Sequence, residues 1–389
     1  MKRAQIPVGF IPLVDAAPLI VAQEMGFAAE EGLDLLLKRA PSWSSLRDML
    51  AFGQVDAAHM LAPVPVAAAM GLGNTGGPLS VMSVLSVNGT VIGVSAALAG
   101  RMRDQGHDFA FADARAAGHA LIEAAPDRLR IAVPFPFSMH AELLYYWLSA
   151  LGFPAPQSID IRTVPPSLMA DALRAGEVDA FCVGEPWGSI VVEHGLGALL
   201  LPGAAIWSFA PEKVLAVRTP WLTQEAPLAH RLIRAVWRAG KWLASAESRL
   251  LAAELLAREP YLSLPPEIID RALSGGLTVT PQGLQRDVPG FLRFHLGDAS
   301  YPWTSQAQWI AHQLAMRTGL DRAVALRAAA PVFRDDLYRG ALGDLCPQLP
   351  QYPQRVEGRD SSNLSTRAHP APDNRFFDGQ IFDPQRPQR

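Results

Sequence analysis

From Ala57 to Gly100 the chain carries no Asp, Glu, Lys or Arg, and few folds accommodate so long an uncharged stretch. A membrane span needs about 20 apolar residues in one run. Here Pro63, Pro65, Asn74, Thr75, Pro78, Asn88 and Thr90 break it too often. What remains is a strand, a buried helix and two further strands, because strands covered on both faces read as continuous apolar runs. The chain as a whole has large buried cores. Of its 389 residues 49% are hydrophobic and 18% charged, which excludes disorder and coiled coil as the main state.

Around that stretch, strand-like and helix-like segments alternate from the start. Strands are expected at 4–10, 33–38, 57–61, 79–86 and 91–95, with helices at 17–26, 44–53 and 64–70. A second alternating run follows, with helices near 114–124, 138–151, 167–175 and 186–194 between strands at 129–134, 158–164 and 179–183. A strand at 212–218 then leads into a helical region at 225–246, 248–258, 265–274, 305–319 and 321–330. Such βα alternation predicts parallel-type sheets. Residues 346–389, rich in proline, read as an extended segment that Phe376, Phe377, Ile381 and Phe382 staple to the body. Two α/β runs, the second placed inside the first, make two lobes with a cleft between them, the usual place for a ligand.

Charge and motifs exclude several functions. Lys and Arg number 34 against 37 Asp and Glu, a net charge of −3, so no global field draws the chain to nucleic acid or an anionic membrane. Cys182 and Cys346 form neither a disulfide framework nor a CxxC pair. Gly71-Leu72-Gly73-Asn74-Thr75-Gly76 matches GxGxxG, but it follows a helix and no acidic residue comes after it until Asp104 to hold a ribose, so it reads as a helix end and turn. A phosphate loop, an HExxH helix, a GxSxG elbow and a zinc-type Cys/His cluster are all missing from the sequence. Met1-Lys2-Arg3 followed by Ile6–Val14 has the outline of a signal segment, yet two prolines and a glycine interrupt it, and a first strand is the better reading.

Four places then stand out. Ser42 is a plausible N-cap that puts Trp43 on the first turn of a helix, either packed into the lobe or facing a ligand. Ser138 places His140 at the start of another helix, where the dipole welcomes an anion. Gly184-Glu185-Pro186-Trp187 forms a strand-to-helix turn. Lys213 leads into an apolar strand, either snorkelling at the rim or aimed into the cleft.

These residues carry a resemblance that spans essentially the whole chain. The segments are Gly9–Leu19, Asn88-Gly89-Thr90, His140 in its helix start, Gly184–Trp187 and Pro211–Val214. Tyr301-Pro302-Trp303, Ser305-Gln306-Ala307, Asp336–Arg339 and Phe377-Asp378-Gly379 add to it further on. Together they resemble the nitrate- and bicarbonate-binding branch of the ABC-transporter solute-binding proteins. The resemblance implies an α/β, two-lobed periplasmic-binding-protein-like (type II) fold with a helix-rich C-terminal extension of lobe 1. Lobe 1 is expected to comprise 1–96 and 208–389, and lobe 2 97–207. In nitrate-binding members the anion sits against a tryptophan, a glutamine, a histidine and a lysine, with backbone amides. Trp43, His140 and Lys213 match three of these and Gly184 lies in the matching cleft turn. Thr90 stands where the longer polar side chain is expected, and it bears on how nitrate and nitrite are told apart.

A flat monoanion suits such a site, since one lysine, one imidazole and a few helix-terminal amides satisfy it while an indole face matches its plane. Bicarbonate ranks lower, because the motif positions show no clear carboxylate acceptor for its hydrogen and no calcium cluster. No cofactor, metal or catalytic activity is expected. The motif at Gly9 leaves little room for a preceding export segment, which points to the cytoplasmic nitrate/nitrite sensors of the NasS type. By that resemblance the partner is a response-regulator-like, RNA-binding antiterminator of the NasT type, released when the anion binds, and the sensor itself contacts neither nucleic acid nor membrane. Two alternatives stand beside it: the receptor of an ABC nitrate or bicarbonate transporter, and an enzyme of the thiamine-pyrimidine synthesis type on the same fold.

Overall fold

In the first sheet, strands β1 (Ala4–Phe10), β2 (Leu33–Arg39), β3 (Ala57–Leu61) and β4 (Leu79–Asn88) alternate with helices α1 (Ala17–Glu24), α2 (Phe27–Glu30), α3 (Trp43–Ala51) and α4 (Pro63–Ala69). The computed structural model describes residues 2–73, 76–126, 128–295, 298–346, 348–359 and 373–386. Every residue of β3 and β4 is buried, so the uncharged stretch is the interior of a sheet covered on both faces. Among the described residues no helix is long and apolar enough to cross a membrane. After α4, Gly71 and Gly73 take φ of 74° and 72°, so the glycine-rich segment is a turn; its Asn74 and Thr75 lie outside the described residues.

The second sheet follows with β5 (Thr90–Ser95), β6 (Leu129–Val133), β7 (Ile159–Thr163), β8 (Ala180–Gly184) and β9 (Gly197–Pro202). Helices α5 (Ala96–Asp104), α6 (Ala114–Ala124), α7 (Met139–Ala150), α8 (Met169–Arg174) and α9 (Trp187–Glu193) join and cover them. The chain then returns to the first sheet as β10 (Pro211–Arg218). The orders are Leu292–Arg293, β4, β10, β3, β1, β2 in one sheet and β7, β6, β8, β5, β9 in the other.

Neither sheet is wholly parallel, contrary to the expectation from alternation. β1 runs parallel to β2 and β3, and β6 to β7 and β8, but β10 is antiparallel to both β3 and β4, and β5 to both β8 and β9. The antiparallel strands are those by which the chain leaves or enters a lobe, where no helical crossover sets the direction. The first passage is made at Asn88-Gly89, so β5 belongs to the second sheet, whereas the expected lobe 1 segment ran on to residue 96.

Asn88 has a left-handed backbone (φ 61°) and Gly89 a φ of 93°. Here the glycine is required twice over, because a Cβ would also approach Leu292 Cδ1 to 2.8 Å. The Asn88 side chain ties this passage to the returning one. Its Nδ2 donates to the Ser208 carbonyl at 2.9 Å, and its Oδ1 accepts from Ala210 N at 3.1 Å.

Helices α10 (Thr219–Leu243, kinked at Glu225), α11 (Ala246–Ala257) and α12 (Pro266–Ser274) come next. α10 and α11 bury Leu232, Ile233, Val236, Ala252 and Leu256 with Leu19 and Ile20 of α1. Helices α13 (Thr304–Thr318), α14 (Arg322–Ala329) and α15 (Asp335–Leu342) complete the helical part. The described tail is extended, as its proline content predicts. Phe376 and Phe382 are buried, Phe377 is partly so, and Ile381 remains 43% exposed. Phe376 packs on Trp207 and Trp309, and Tyr146 of α7 donates to Asp378 at 2.8 Å.

Candidate functional site

Serine caps position two of the expected side chains. Ser42 accepts from Ser45 N at 3.2 Å and opens α3, so Trp43 occupies the first turn. Ser138 accepts from Ala141 N at 3.2 Å and opens α7, which carries His140 on its first turn. Trp43 and His140 are both 1% exposed. Lys213 lies within β10, opposite Leu61 and Ser86, and is fully buried, so it points inward and does not snorkel.

The lysine is the centre of a buried polar cluster. Its Nζ lies 2.9 Å from Asp15 Oδ2, 2.8 Å from Glu212 Oε1 and 5.5 Å from the centroid of the Trp43 ring. His140 Nδ1 stands 3.3 Å from Glu212 Oε1, and His59 Nε2 stands 2.9 Å from Asp15 Oδ1. The His59 ring also packs on Trp43, with centroids 5.5 Å apart. Gly184 at the end of β8 faces the same spot: a Cβ there would lie 3.6 Å from Asp15 Oδ2 and 3.9 Å from His140 Nε2. Trp43, His140, Gly184 and Lys213, taken from four separate segments, are thus brought together.

Thr90 stands beside this group. It is paired with Gly184 across β5 and β8, which puts both residues on one face of the sheet. Its buried hydroxyl has no hydrogen-bond partner among the described residues and is roofed by Gly203, where a methyl would collide with it. Trp43 Nε1 and His140 Nε2 are likewise buried without a partner. Buried polar atoms are ordinarily satisfied, so polar groups left open around a lysine, the Trp43 N–H and the Thr90 hydroxyl among them, mark a place for an acceptor.

Sequence reasoning missed Asp15, His59 and Glu212. Asp15 and Glu212 also correct the argument that carboxylates are missing from the site. The signals were present: Glu212-Lys213 is a charged pair at the head of a buried strand, and His59 is a polar residue inside the uncharged stretch. Among the described residues no group of three or more His, Cys, Asp or Glu is arranged to hold a metal ion.

The cluster sits between the lobes. Trp187 Nε1 of the second lobe donates to the Pro12 carbonyl of the first at 2.9 Å, and Val14 N donates to the Glu185 carbonyl at 3.0 Å. Beside these contacts a cavity of about 400 Å³, lined by Ile11, Pro12, Arg39, Pro41, Pro166 and Trp187, opens to solvent.

Burial governs the protonation of these groups. It would push Asp15 up, but Lys213 and His59 outweigh it and hold the carboxyl at about 2. It would depress Lys213, but Asp15 and Glu212 raise the ammonium above its ordinary value. Burial lowers His59 and takes His140 well below the usual histidine range, with Lys213 adding to both effects. It also pushes Glu212 up to about 7 against the pull of Lys213. Glu142, paired with Arg317, and Glu185 are raised to about 7 for the same reason.

These shifts have a sign that thermal melts can read. Each raised glutamate stabilises the fold below its unfolded value and loses that contribution as pH climbs through about 7. Buried imidazoles act oppositely: His59, His107, His140, His295 and His312 are lowered by burial, so stability falls as the unfolded chain protonates below about 6.5. The melting temperature without ligand is therefore expected to peak between about pH 6 and 7. A monotonic rise from pH 5 to pH 8.5 would contradict the glutamate assignments.

Residues 1–257 match the NMT1-like family. The chain is 31% identical over 395 residues to the nitrate/nitrite binding protein NrtA of Synechocystis sp., covering 98% of this chain and 82% of that protein. It is also 31% identical over 396 residues to the nitrate import ATP-binding protein NrtC of the same organism. All of this chain is covered there, but only 54% of the relative, so the chain spans about half of that protein's length. The crystal structure of the periplasmic nitrate-binding protein NrtA from Synechocystis matches with a TM-score of 0.85 at 28% identity, covering 99% of this chain and 96% of that one. The two-lobed architecture, the family match and these relatives agree: the chain belongs to the NMT1-like family, among the nitrate- and bicarbonate-binding solute-binding proteins.

Proposed function

We propose that the protein is a receptor for nitrate or nitrite that holds the anion between its lobes and signals occupancy by closing on it. The observation that carries this reading is the buried Lys213 with the unpartnered Trp43 N–H and the His140 imidazole beside it and the Thr90 hydroxyl on the adjoining strand. An indole face, an imidazole, one ammonium and the side-chain-free Gly184, against which Leu13 packs closely, suit a flat monoanion better than a bulky or branched ligand. Calorimetric titration of the purified protein with nitrate, nitrite, bicarbonate and taurine tests the ligand class. Binding of taurine with nitrate silent would reject it.

What the closed form does next has two readings. The names of the relatives favour a receptor that delivers its anion to an ABC importer. The sensor resemblance favours a cytoplasmic protein that releases a response-regulator-like antiterminator of the NasT type when nitrate or nitrite enters. For the sensor, linkage requires that the antiterminator weaken nitrate binding by the same factor by which nitrate weakens the complex. Titrating nitrate with and without the purified antiterminator separates the two, since an importer receptor shows the same affinity in both. No observation favours the enzymatic alternative.

A further inference from the structure

The buried cluster already neutralises its own lysine. Nζ of Lys213 is shared between Asp15 and Glu212 at 2.9 and 2.8 Å, and both carboxylates are at most 1% exposed. The two imidazoles add no positive charge, because burial keeps His59 and His140 neutral. With both carboxylates ionised, two negative charges face one positive charge. An entering monoanion adds a third negative charge to a site sealed from water, and unpaired buried charge costs several kcal/mol per ion. Some group must change its charge when the ligand arrives.

Glu212 is the group placed to do so. Its Oε1 is held by Lys213 and lies 3.3 Å from His140 Nδ1, while its Oε2 is buried with no hydrogen-bond partner among the described residues. The titratable and charged groups around it are Lys213 on its own strand, Asp15 from the turn before α1, His140 from α7 and Cys182 from β8. His59 from β3 reaches it only through Asp15. Asp15 is a poor acceptor of a proton, since it is paired with both Lys213 and His59.

Building on the anion-receptor reading, we infer that the site takes up one proton from solvent with each anion, that Glu212 carries it, and that the species bound is a monoanion together with a proton. No covalent bond forms. The proton converts an unpaired carboxylate oxygen into a hydroxyl donor and keeps the charge of the cluster unchanged on binding. A dianion such as sulfate would need a second proton that the cluster has no comparable place to hold, so the same carboxylate selects for single charge. Glu212 is thereby a specificity-determining residue as well as a pH sensor for affinity. Free Glu212 already leans toward its protonated form near neutrality, so affinity is flat below about pH 7 and falls about tenfold per pH unit above it.

The test is calorimetric titration of the full chain with sodium nitrate at pH 6 and pH 8, each in two buffers of different ionisation enthalpy. Uptake approaching one proton per nitrate at pH 8, shrinking at pH 6, is the expected result. Nitrate heat that is the same in both buffers at pH 8 overturns the inference while leaving the receptor reading intact. The absence of nitrate heat in every buffer at pH 6 removes the receptor reading itself, and this inference with it. In Glu212→Gln the uptake should vanish and affinity should lose its pH dependence; undiminished uptake in that variant overturns the assignment to Glu212. Should the variant not fold, the wild-type buffer comparison decides alone.

Discussion

Lys213→Ala is expected to lower nitrate affinity at least about 100-fold and to destabilise the empty protein as well. The ligand loss follows from removing a desolvated cation from an anion's first contacts, which costs about 2–5 kcal/mol when the remaining charges stay buried. The stability loss has a separate origin. Asp15 and Glu212 both rely on the Lys213 ammonium, at 2.9 and 2.8 Å, and breaking a buried pair by deleting one partner costs about 3–5 kcal/mol. Because burial pushes Glu212 up to about 7, lowering the pH should recover part of the stability but not the ligand contact that the ammonium made. The variant should therefore be titrated at pH 6, with circular dichroism confirming the fold. A folded Lys213→Ala protein that binds nitrate at wild-type affinity would show that the anion sits elsewhere.

Trp207→Ala is expected to be the most damaging single change away from the site, at about 3–5 kcal/mol for a fully buried indole. The residue belongs to the segment that returns the chain from the second lobe to the first, and its centroid lies 4.7 Å from Trp309 and 4.9 Å from Phe376. Its Nε1 donates to Asn374 Oδ1 at 2.8 Å. The tail adds backbone links to the same segment, from Phe377 N to the Ile206 carbonyl at 2.9 Å and from Ser208 N to the Arg375 carbonyl at 3.0 Å. Removing the indole should loosen the tail before the lobes unfold. Amide exchange at Phe377 and Ser208 should accelerate at temperatures where the β4 amides stay protected, and the melting temperature should drop. A variant that melts with the wild type, with Phe377 equally protected, would mean the aromatic stack is ornamental to stability.

The fold was legible where burial leaves a pattern. Serines ahead of apolar helices marked the starts of α3 and α7, and the uncharged stretch marked β3, α4 and β4. Helix α5 and strand β9 escaped notice; Gly197–Pro202 is a short apolar run separated from a helix by only three residues, and its opening glycines read as the end of that helix. Strand direction was illegible too, because alternation says that strands are crossed by helices but not which strands carry the chain between lobes. At the site, residues next to a structural signal were found: Trp43 and His140 follow caps, Gly184 ends a strand and Lys213 heads one. Asp15 has no such marker, while Glu212 beside Lys213 and His59 inside the uncharged stretch carry only a weak one. Their meaning comes only from meeting one another, 44 residues and more apart in the chain, around a lysine.

The position of β10 has a consequence for how the molecule comes into being. This strand lies between β3 and β4, yet residues 90–202, the whole of the second sheet, are made before it. During synthesis the second lobe can close around its own strands while the first waits with a gap at its centre. The lobe that begins first on the ribosome thus has its central gap filled only after the second sheet is made, and the strand that fills it carries Lys213. The proposed anion site and the central strand of the first sheet are finished in one step, so a chain that stops short of β10 lacks the lysine on which ligand binding is expected to depend.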